Sequence, residues 1–219
     1  HGLIIKDGVK MSKSKGNVVI PDEYIRKYGA DTLRCYLMFL GPFSDGGDFR
    51  DSGMEGMYRF VRRIWTLVSS IKYEVLSMKE DAGLERIMHK TIKQVTEDIS
   101  TLHYNTAIAH IMEYYNSLHE FYTKYSPRGE AGKILNTKYC KTLVLLFAPF
   151  APHMTEQLFQ LLRTQNSKVK SQKFESIHLH AWPRYDPKFL EETELIIAVQ
   201  INGKLRDVIR SQKLEVSSQ

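Results

Sequence analysis

From residue 54 onward, apolar residues recur every three or four positions, interrupted only by short polar stretches. Met54, Met57, Tyr58, Val61, Ile64, Trp65, Val68, Ile71 and Val75 form the first stripe. Leu84, Ile87, Met88, Thr91, Val95, Ile99 and Leu102 form a second, and Tyr104, Ala107, Ile108, Ile111, Met112, Tyr115, Leu118 and Phe121 a third. Ile134, Leu135, Tyr139, Leu143 and Leu146 make a fourth that stops at Pro149, and Pro152 to Leu162 allows a fifth, shorter helix. A helix brings positions three and four apart onto one face, so each stripe predicts an amphipathic helix. Several such helices with short connections predict a bundle.

The two ends have a different texture. Leu3 to Lys6 is a short strand candidate, and Asp7-Gly8 after it is a turn signal. Pro21, with Asp22 and Glu23 in its first turn, opens a helix that Gly29 stops. Asp31 to Leu40 predicts a second helix, ended by Gly41-Pro42, and the turn formers of residues 41–53 predict a loop. Residues 163–175 are polar and basic and read as a linker, and residues 177–183 as a short extended piece. Leu195 to Ile201, Asn202-Gly203 and Lys204 to Ile209 predict a hairpin with a tight turn. One hairpin is not stable alone, so it is expected to be the truncated start of a further domain. The expected fold class is mainly α, divided at 1–52, 53–165 and 166–219. With no initiator methionine and a strand candidate at its very start, the chain is expected to be a piece of a longer one.

Composition narrows the classes. No run of about 18 apolar residues exists, so no membrane helix is expected. The start has no basic stretch ahead of a long apolar one, so it does not read as a signal peptide. Cys35 and Cys140 lack metal-ligand spacing and suit a reduced, cytoplasmic protein with buried thiols. His103, His110 and His119 are not accompanied by a carboxylate or cysteine ligand set, so no metal site is expected there. The net charge of +6 favours polyanions, nucleic acid among them.

The candidate chemistry lies at Lys10-Met11-Ser12-Lys13-Ser14. Lys10, Lys13 and Lys15 fall within six positions, without helical or strand periodicity. Like charges this close repel, so the stretch reads as a mobile loop built to meet an anion. Arg59, Arg62 and Arg63, with Lys72, occupy the polar face of the first stripe and read equally as phosphate contacts or as a solvated face. Asp31 and Arg34, three apart, read as an exposed ion pair or as support for the loop. Lys168, Lys170 and Lys173 read as a polar loop, and Tyr114, Tyr115, Tyr122 and Tyr125 as core or boundary residues.

Residues 10–14 are letter for letter the KMSKS signature of class I aminoacyl-tRNA synthetases. His1-Gly2, Asp7-Gly8, Lys15-Gly16-Asn17-Val18-Val19 and Gly29-Ala30-Asp31-Thr32-Leu33-Arg34 resemble the branch for leucine, isoleucine, valine and methionine. Tyr36 to Pro42, Asp48-Phe49, Gly53 to Gly56, Arg59-Phe60 and Ile64-Trp65 are similar to the leucyl family in particular. So are Ala148 to His153, Trp182-Pro183 and Val199 to Arg206. The family's HIGH motif, amino-acid pocket and editing domain, which precede KMSKS, have no counterpart in this sequence.

The resemblance implies the KMSKS end of a Rossmann-type catalytic domain, then an α-helical anticodon-binding domain, then the start of a small C-terminal domain. It implies a monomeric parent that activates leucine with ATP and transfers it to tRNA(Leu), with Mg2+ accompanying ATP. Lys13, assisted by Lys10, would be catalytic. Lys10, Met11, Ser12, Lys13 and Ser14 would form the ATP-binding stretch, with Met11 as a hydrophobic anchor. Arg59, Arg62 and Arg63 would meet tRNA. The chain alone is expected to be inactive. Valyl, isoleucyl or methionyl relatives, and a non-catalytic helical RNA-binding module, stand as alternatives.

Overall fold

A computed structural model describes residues 2–70, 81–125, 137–166, 174–190, 194–201 and 204–212. It begins with a small mixed sheet. β1 (Leu3–Lys6) pairs antiparallel with β2 (Val9–Lys10), Ile5 opposite Lys10 and Lys6 opposite Val9. Asp7 at φ 50 and Gly8 at φ 76 make the turn between them. Two successive left-handed residues are what a two-residue hairpin with the native strand twist requires.

On its other side β1 pairs parallel with β3 (Gly46–Phe49), giving the order β2-β1-β3. This strand lies within the stretch that its turn formers predict to be a loop. Its sequence, Gly-Gly-Asp-Phe, has no alternation and no β-branched residue to mark it. The glycine serves close approach instead: Gly46 sits at φ 81, and a Cβ there would lie 2.2 Å from the Leu3 carbonyl oxygen.

The helices follow the stripes closely. α1 (Pro21–Tyr28) has proline in its first turn and ends at Gly29, φ 88. α2 (Ala30–Phe39) follows directly. α3 (Asp51–Ser69) starts ahead of its first striped residue and buries Met54, Met57, Phe60, Val61, Ile64, Leu67 and Val68. Ile71, Lys72 and Val75 lie outside the described residues. α4 (Ala82–Ser100) is capped by Asp81, whose carboxylate accepts the Leu84 N–H at 2.8 Å. α5 (Tyr104–Tyr125), α6 (Thr137–Phe147) and α7 (Pro152–Asn166) complete the bundle. Ile134 and Leu135 fall outside the described residues. At the centre, Phe60 meets Tyr115 and Phe147 edge to face, with ring centroids 5.8 Å apart in both pairs. Tyr114 and Tyr115 are buried, and the Tyr114 hydroxyl donates to the Tyr139 carbonyl at 3.1 Å.

Two assignments within the α4 stripe fail. Ile87 is exposed, and the buried face instead includes Glu85 and His89. Lys138 on α6 donates to both Glu85 carboxylate oxygens at 2.9 Å, and the His89 ring lies 3.5 Å away, so the buried charge is matched. Leu102 is not helical. It stands at φ 63 in the turn between α4 and α5.

α7 extends into the stretch expected as a linker, whose remaining lysines, Lys168, Lys170 and Lys173, lie outside the described residues. The chain then returns along the bundle as a strap. Ser176 donates its hydroxyl to Glu156 at 2.7 Å, and the Ile177 N–H donates to the same carboxylate oxygen at 3.0 Å. Residues 177–179 are a 3-10 turn rather than extended, because the Ser176 hydroxyl caps it by accepting the His178 N–H. Ile177 joins the core, and the Trp182 indole donates to the Thr96 hydroxyl at 2.9 Å.

These elements form one unit, His1–Tyr185, and Asp186–Gln219 forms a second. The second unit has a 3-10 turn at Pro187–Leu190 and the predicted hairpin of β4 (Glu194–Ile201) and β5 (Lys204–Gln212). Its register runs from Glu194 opposite Gln212 to Ile201 opposite Lys204, with an irregularity between Val199 and Gln200. The Asn202-Gly203 turn lies outside the described residues. No helix among the described residues is long and apolar enough to cross a membrane.

Candidate functional site

The lysine-rich stretch continues directly from β2 and forms a hydrogen-bonded turn. Residues 13–15 make one 3-10 turn, closed by bonds from the Lys15 N–H to the Ser12 carbonyl and from the Gly16 N–H to the Lys13 carbonyl. Gly16 at φ 64 sends the chain back. Asn17 then ties the two sides together: its Oδ1 accepts the Ser12 N–H at 2.8 Å, and its Nδ2 donates to the Lys10 carbonyl at 3.2 Å. The Ser12 and Ser14 hydroxyls share a hydrogen bond of 2.8 Å. Met11 is half-buried against the core, while Lys10, Lys13 and Lys15 are exposed. Among the described residues, none of these three lysines has a carboxylate partner. Asn17 is the member of this site that sequence pattern alone did not single out. It stood only within the stretch that carries the family resemblance, without a role, and as an Asx residue just after a glycine, a type that often bonds nearby backbone.

The hairpin beneath the turn is held by β3 and α3. The Gly8 N–H donates to Asp48 at 2.9 Å, and Arg50 donates to the other Asp48 oxygen at 2.7 Å. The Gly8 amide and the Arg50 guanidinium together hold the Asp48 carboxyl below its usual range. Lys6 reaches both oxygens of Asp51 at 3.2 Å, and Tyr24 on α1 donates to the same carboxylate. The Tyr24 hydroxyl, and then Lys6, depress the Asp51 pKa. Lys6 in the hairpin is thus neutralised locally, whereas Lys10 at its end and the lysines of the turn are exposed.

Arg59, Arg62 and Arg63 are exposed on α3, as their spacing predicts. Arg62 lies over the Tyr58 ring and Arg63 over the Tyr115 ring, each at 5.7 Å, which restrains the direction of both guanidinium groups. None of the three has a carboxylate partner among the described residues.

Asp31 and Arg34 are not a pair. Asp31 is buried, and its carboxylate accepts the Met154 N–H at 2.6 Å and faces the His153 Nδ1 at 2.8 Å. Arg34 donates instead to the Pro149 carbonyl at 3.4 Å. Asp31 ties α2 to the start of α7, where helical N–H groups lack partners of their own, and Arg34 ties it to the turn ahead of that helix. His103 bonds the Thr101 hydroxyl at 2.9 Å, and His110 lies between Asp98 and Glu113 at 3.6 and 3.5 Å. Among the described residues, no group of three or more His, Cys, Asp or Glu side chains is placed to hold a metal.

Known proteins resemble this chain in sequence and in fold. The profile of the anticodon-binding domain of tRNA ligase matches residues 81–218, and that of the tRNA synthetases class I (I, L, M and V) matches residues 1–47. The chain is 43% identical over 219 residues to a leucine–tRNA ligase of Thermotoga petrophila, covering 95% of this chain and 25% of that one. It is 40% identical over 219 residues to the same ligase of Fervidobacterium nodosum, with the same 95% and 25% coverage. The crystal structure of a ternary complex of Agrobacterium radiobacter K84 agnB2 LeuRS, tRNA and LeuAMS superposes with a TM-score of 0.71 at 30% identity, covering 99% of this chain and 28% of that one. The chain thus spans 25% of the length of the curated relatives it matches.

Proposed function

We propose, because the chain belongs to the leucine–tRNA ligase family, that it works within a longer ligase as the part that brings positive charge to ATP and supports tRNA. In the first step the leucine carboxylate attacks the α-phosphorus of ATP. The bond from that phosphorus to pyrophosphate breaks, leucyl-adenylate forms, and negative charge grows on the departing group. The leucyl group then passes to the terminal adenosine of tRNA(Leu), and AMP leaves.

Lys13 meets the growing charge on the pyrophosphate oxygens. An ammonium group has three donors and no fixed plane, so it follows those oxygens as they move, and its contribution is largest in the transition state. Lys10, exposed at the end of β2, assists. The bonded pair of Ser12 and Ser14 hydroxyls keeps one hydrogen free to donate to a phosphate oxygen. Mg2+ enters as the companion of the substrate triphosphate. Arg59, Arg62 and Arg63 meet the tRNA backbone. The free, buried thiols of Cys35 and Cys140, both pushed up by burial, fit a reducing compartment such as the cytoplasm.

The observation that carries this reading is the set of three outward lysines without carboxylate partners among the described residues, on a closed turn, in a chain of this family. Single-turnover adenylate formation, measured across ATP concentrations with the full-length ligase containing this segment, tests it. Lys13→Ala is expected to slow the forward step by on the order of 2–4 kcal/mol while leaving ATP affinity nearly unchanged. Lys13→Arg restores only part of the rate. If Lys13→Ala weakens ATP binding but leaves the forward rate intact, the turn is an anion-binding surface and not a catalytic one.

A further inference from the structure

We propose that Asn17 is a positioning residue for Lys13, acting through the backbone of the turn; this rests on the catalytic reading of that turn. The two bonds of Asn17 are chemically directed. A backbone N–H can only donate and a carbonyl can only accept, so the contacts to Ser12 and Lys10 fix which end of the amide is which. Both ends are needed. Aspartate has the same size but no donor for the Lys10 carbonyl, and alanine has neither group. The amide thus closes a ring from Lys10 to Asn17 that contains all of Lys10, Met11, Ser12, Lys13 and Ser14.

Within that ring, each remaining backbone constraint bears on Lys13. Its carbonyl accepts the Gly16 N–H, its predecessor Ser12 is held by Asn17, and the Ser12 carbonyl accepts the Lys15 N–H. The backbone of Lys13 is therefore fixed from both sides, while its side chain stays exposed. That division suits a group that must arrive at a moving charge from a constant origin. Without the amide, the turn retains its own 3-10 bonds, the Ser12–Ser14 hydroxyl bond and the packing of Met11, but nothing ties the Ser12 N–H and the Lys10 carbonyl together. The ammonium then samples more positions, and fewer of them place it on the leaving oxygens.

The test uses single-turnover leucyl-adenylate formation by the full-length ligase containing this segment, with Asn17→Ala, Asn17→Asp, Lys13→Ala and the Asn17→Ala/Lys13→Ala double variant. Asn17→Ala is expected to lower the forward rate roughly tenfold, as loss of two neutral hydrogen bonds that orient a reacting group, with the ATP dissociation constant held within about twofold. Asn17→Asp is expected to be slow as well, and its near-identical shape guards against misfolding as the cause. The double variant should be no slower than Lys13→Ala alone, since a residue that acts through Lys13 has nothing left to position. Hydrogen exchange of the peptide spanning the turn should show a less protected Ser12 amide in Asn17→Ala. A full rate in Asn17→Ala beside a slow Lys13→Ala overturns the proposal and leaves the catalytic reading standing. Effects of Asn17→Ala and Lys13→Ala that multiply, or a change confined to ATP affinity, also overturn it. A full rate in Lys13→Ala overturns the catalytic reading and the proposal with it.

Discussion

Replacing Asp31 with alanine removes the acceptor that closes the start of α7. Pro152 opens that helix without an N–H, and the Thr155 N–H already reaches the Ala151 carbonyl. The Met154 N–H is left to Asp31, at 2.6 Å. Loss of a capping acceptor costs about 1–2 kcal/mol. The contact with His153 adds little, about 0.5 kcal/mol, because its side chain is 78% exposed and water screens the pair. Together these give a loss of about 2 kcal/mol, or a fall in melting temperature of roughly 4–8 °C for a chain of this size. Asp31→Asn keeps one acceptor oxygen and should lose about half as much. Urea and thermal unfolding of Asp31→Ala, Asp31→Asn and His153→Ala measure these differences, and exchange of the Met154 amide reports the freed donor directly. Two results would refute the reasoning: a loss below about 0.5 kcal/mol, the size of an ordinary surface substitution, or a His153→Ala variant as unstable as Asp31→Ala. The second would mean that the carboxylate works through the imidazole and not through the helix backbone.

Two further outcomes follow from side chains already described. Replacing Arg59, Arg62 and Arg63 together with glutamine should weaken tRNA binding and reduce the slope of log affinity against log salt by up to about three, one for each phosphate no longer neutralised; filter binding at several salt concentrations checks this, and an unchanged slope assigns the arginines to a solvated face. Burial pushes the Glu85 carboxyl up, but the bonds from Lys138, then the Tyr139 hydroxyl, with a smaller contribution from the neighbouring His89, outweigh it and hold the carboxyl below its usual 4.5. The stability this provides is present above that value and is lost as pH falls through the depressed folded one. Glu85→Gln should therefore be less stable than the native chain by on the order of 1–3 kcal/mol at neutral pH, and melting curves of the two should converge in acid.

The bundle was legible because burial on a helix repeats with the helix, and Met54, Ile64, Val95, Ile108 and Leu143 all fall where their spacing put them. The same rule misled at Ile87 and Glu85. Spacing counts hydrophobicity and cannot see a lysine that arrives from another helix to match a buried charge. β3 was hidden for a related reason, since its glycines record the approach of a second backbone, which a one-dimensional pattern reads as a turn. At the candidate site, the lysines and serines stand out by their crowding. The clamp by Asn17 and the grip of Asp48 on Gly8 depend on which backbone groups lie across a turn or a sheet. Asp31 looked like the partner of Arg34 because three residues separate them, whereas its true partner is 123 residues away.

The strap over residues 174–185 also sets an order on how the chain can finish folding as it is made. Ile177 fills part of the core, and Trp182 bonds Thr96 from 86 residues farther along. At about 5–20 residues per second, α4 would wait roughly 4–17 s after leaving the ribosome for that partner. Throughout that interval the Thr96 hydroxyl, which donates to the Ile92 carbonyl of its own helix, lacks its indole donor, and the place of Ile177 in the core is empty. Glu156 is the receiving post for the strap, and it emerges before the segment it holds. A chain released short of Ile177 would carry all its bundle helices and still lack the side chain that closes their core.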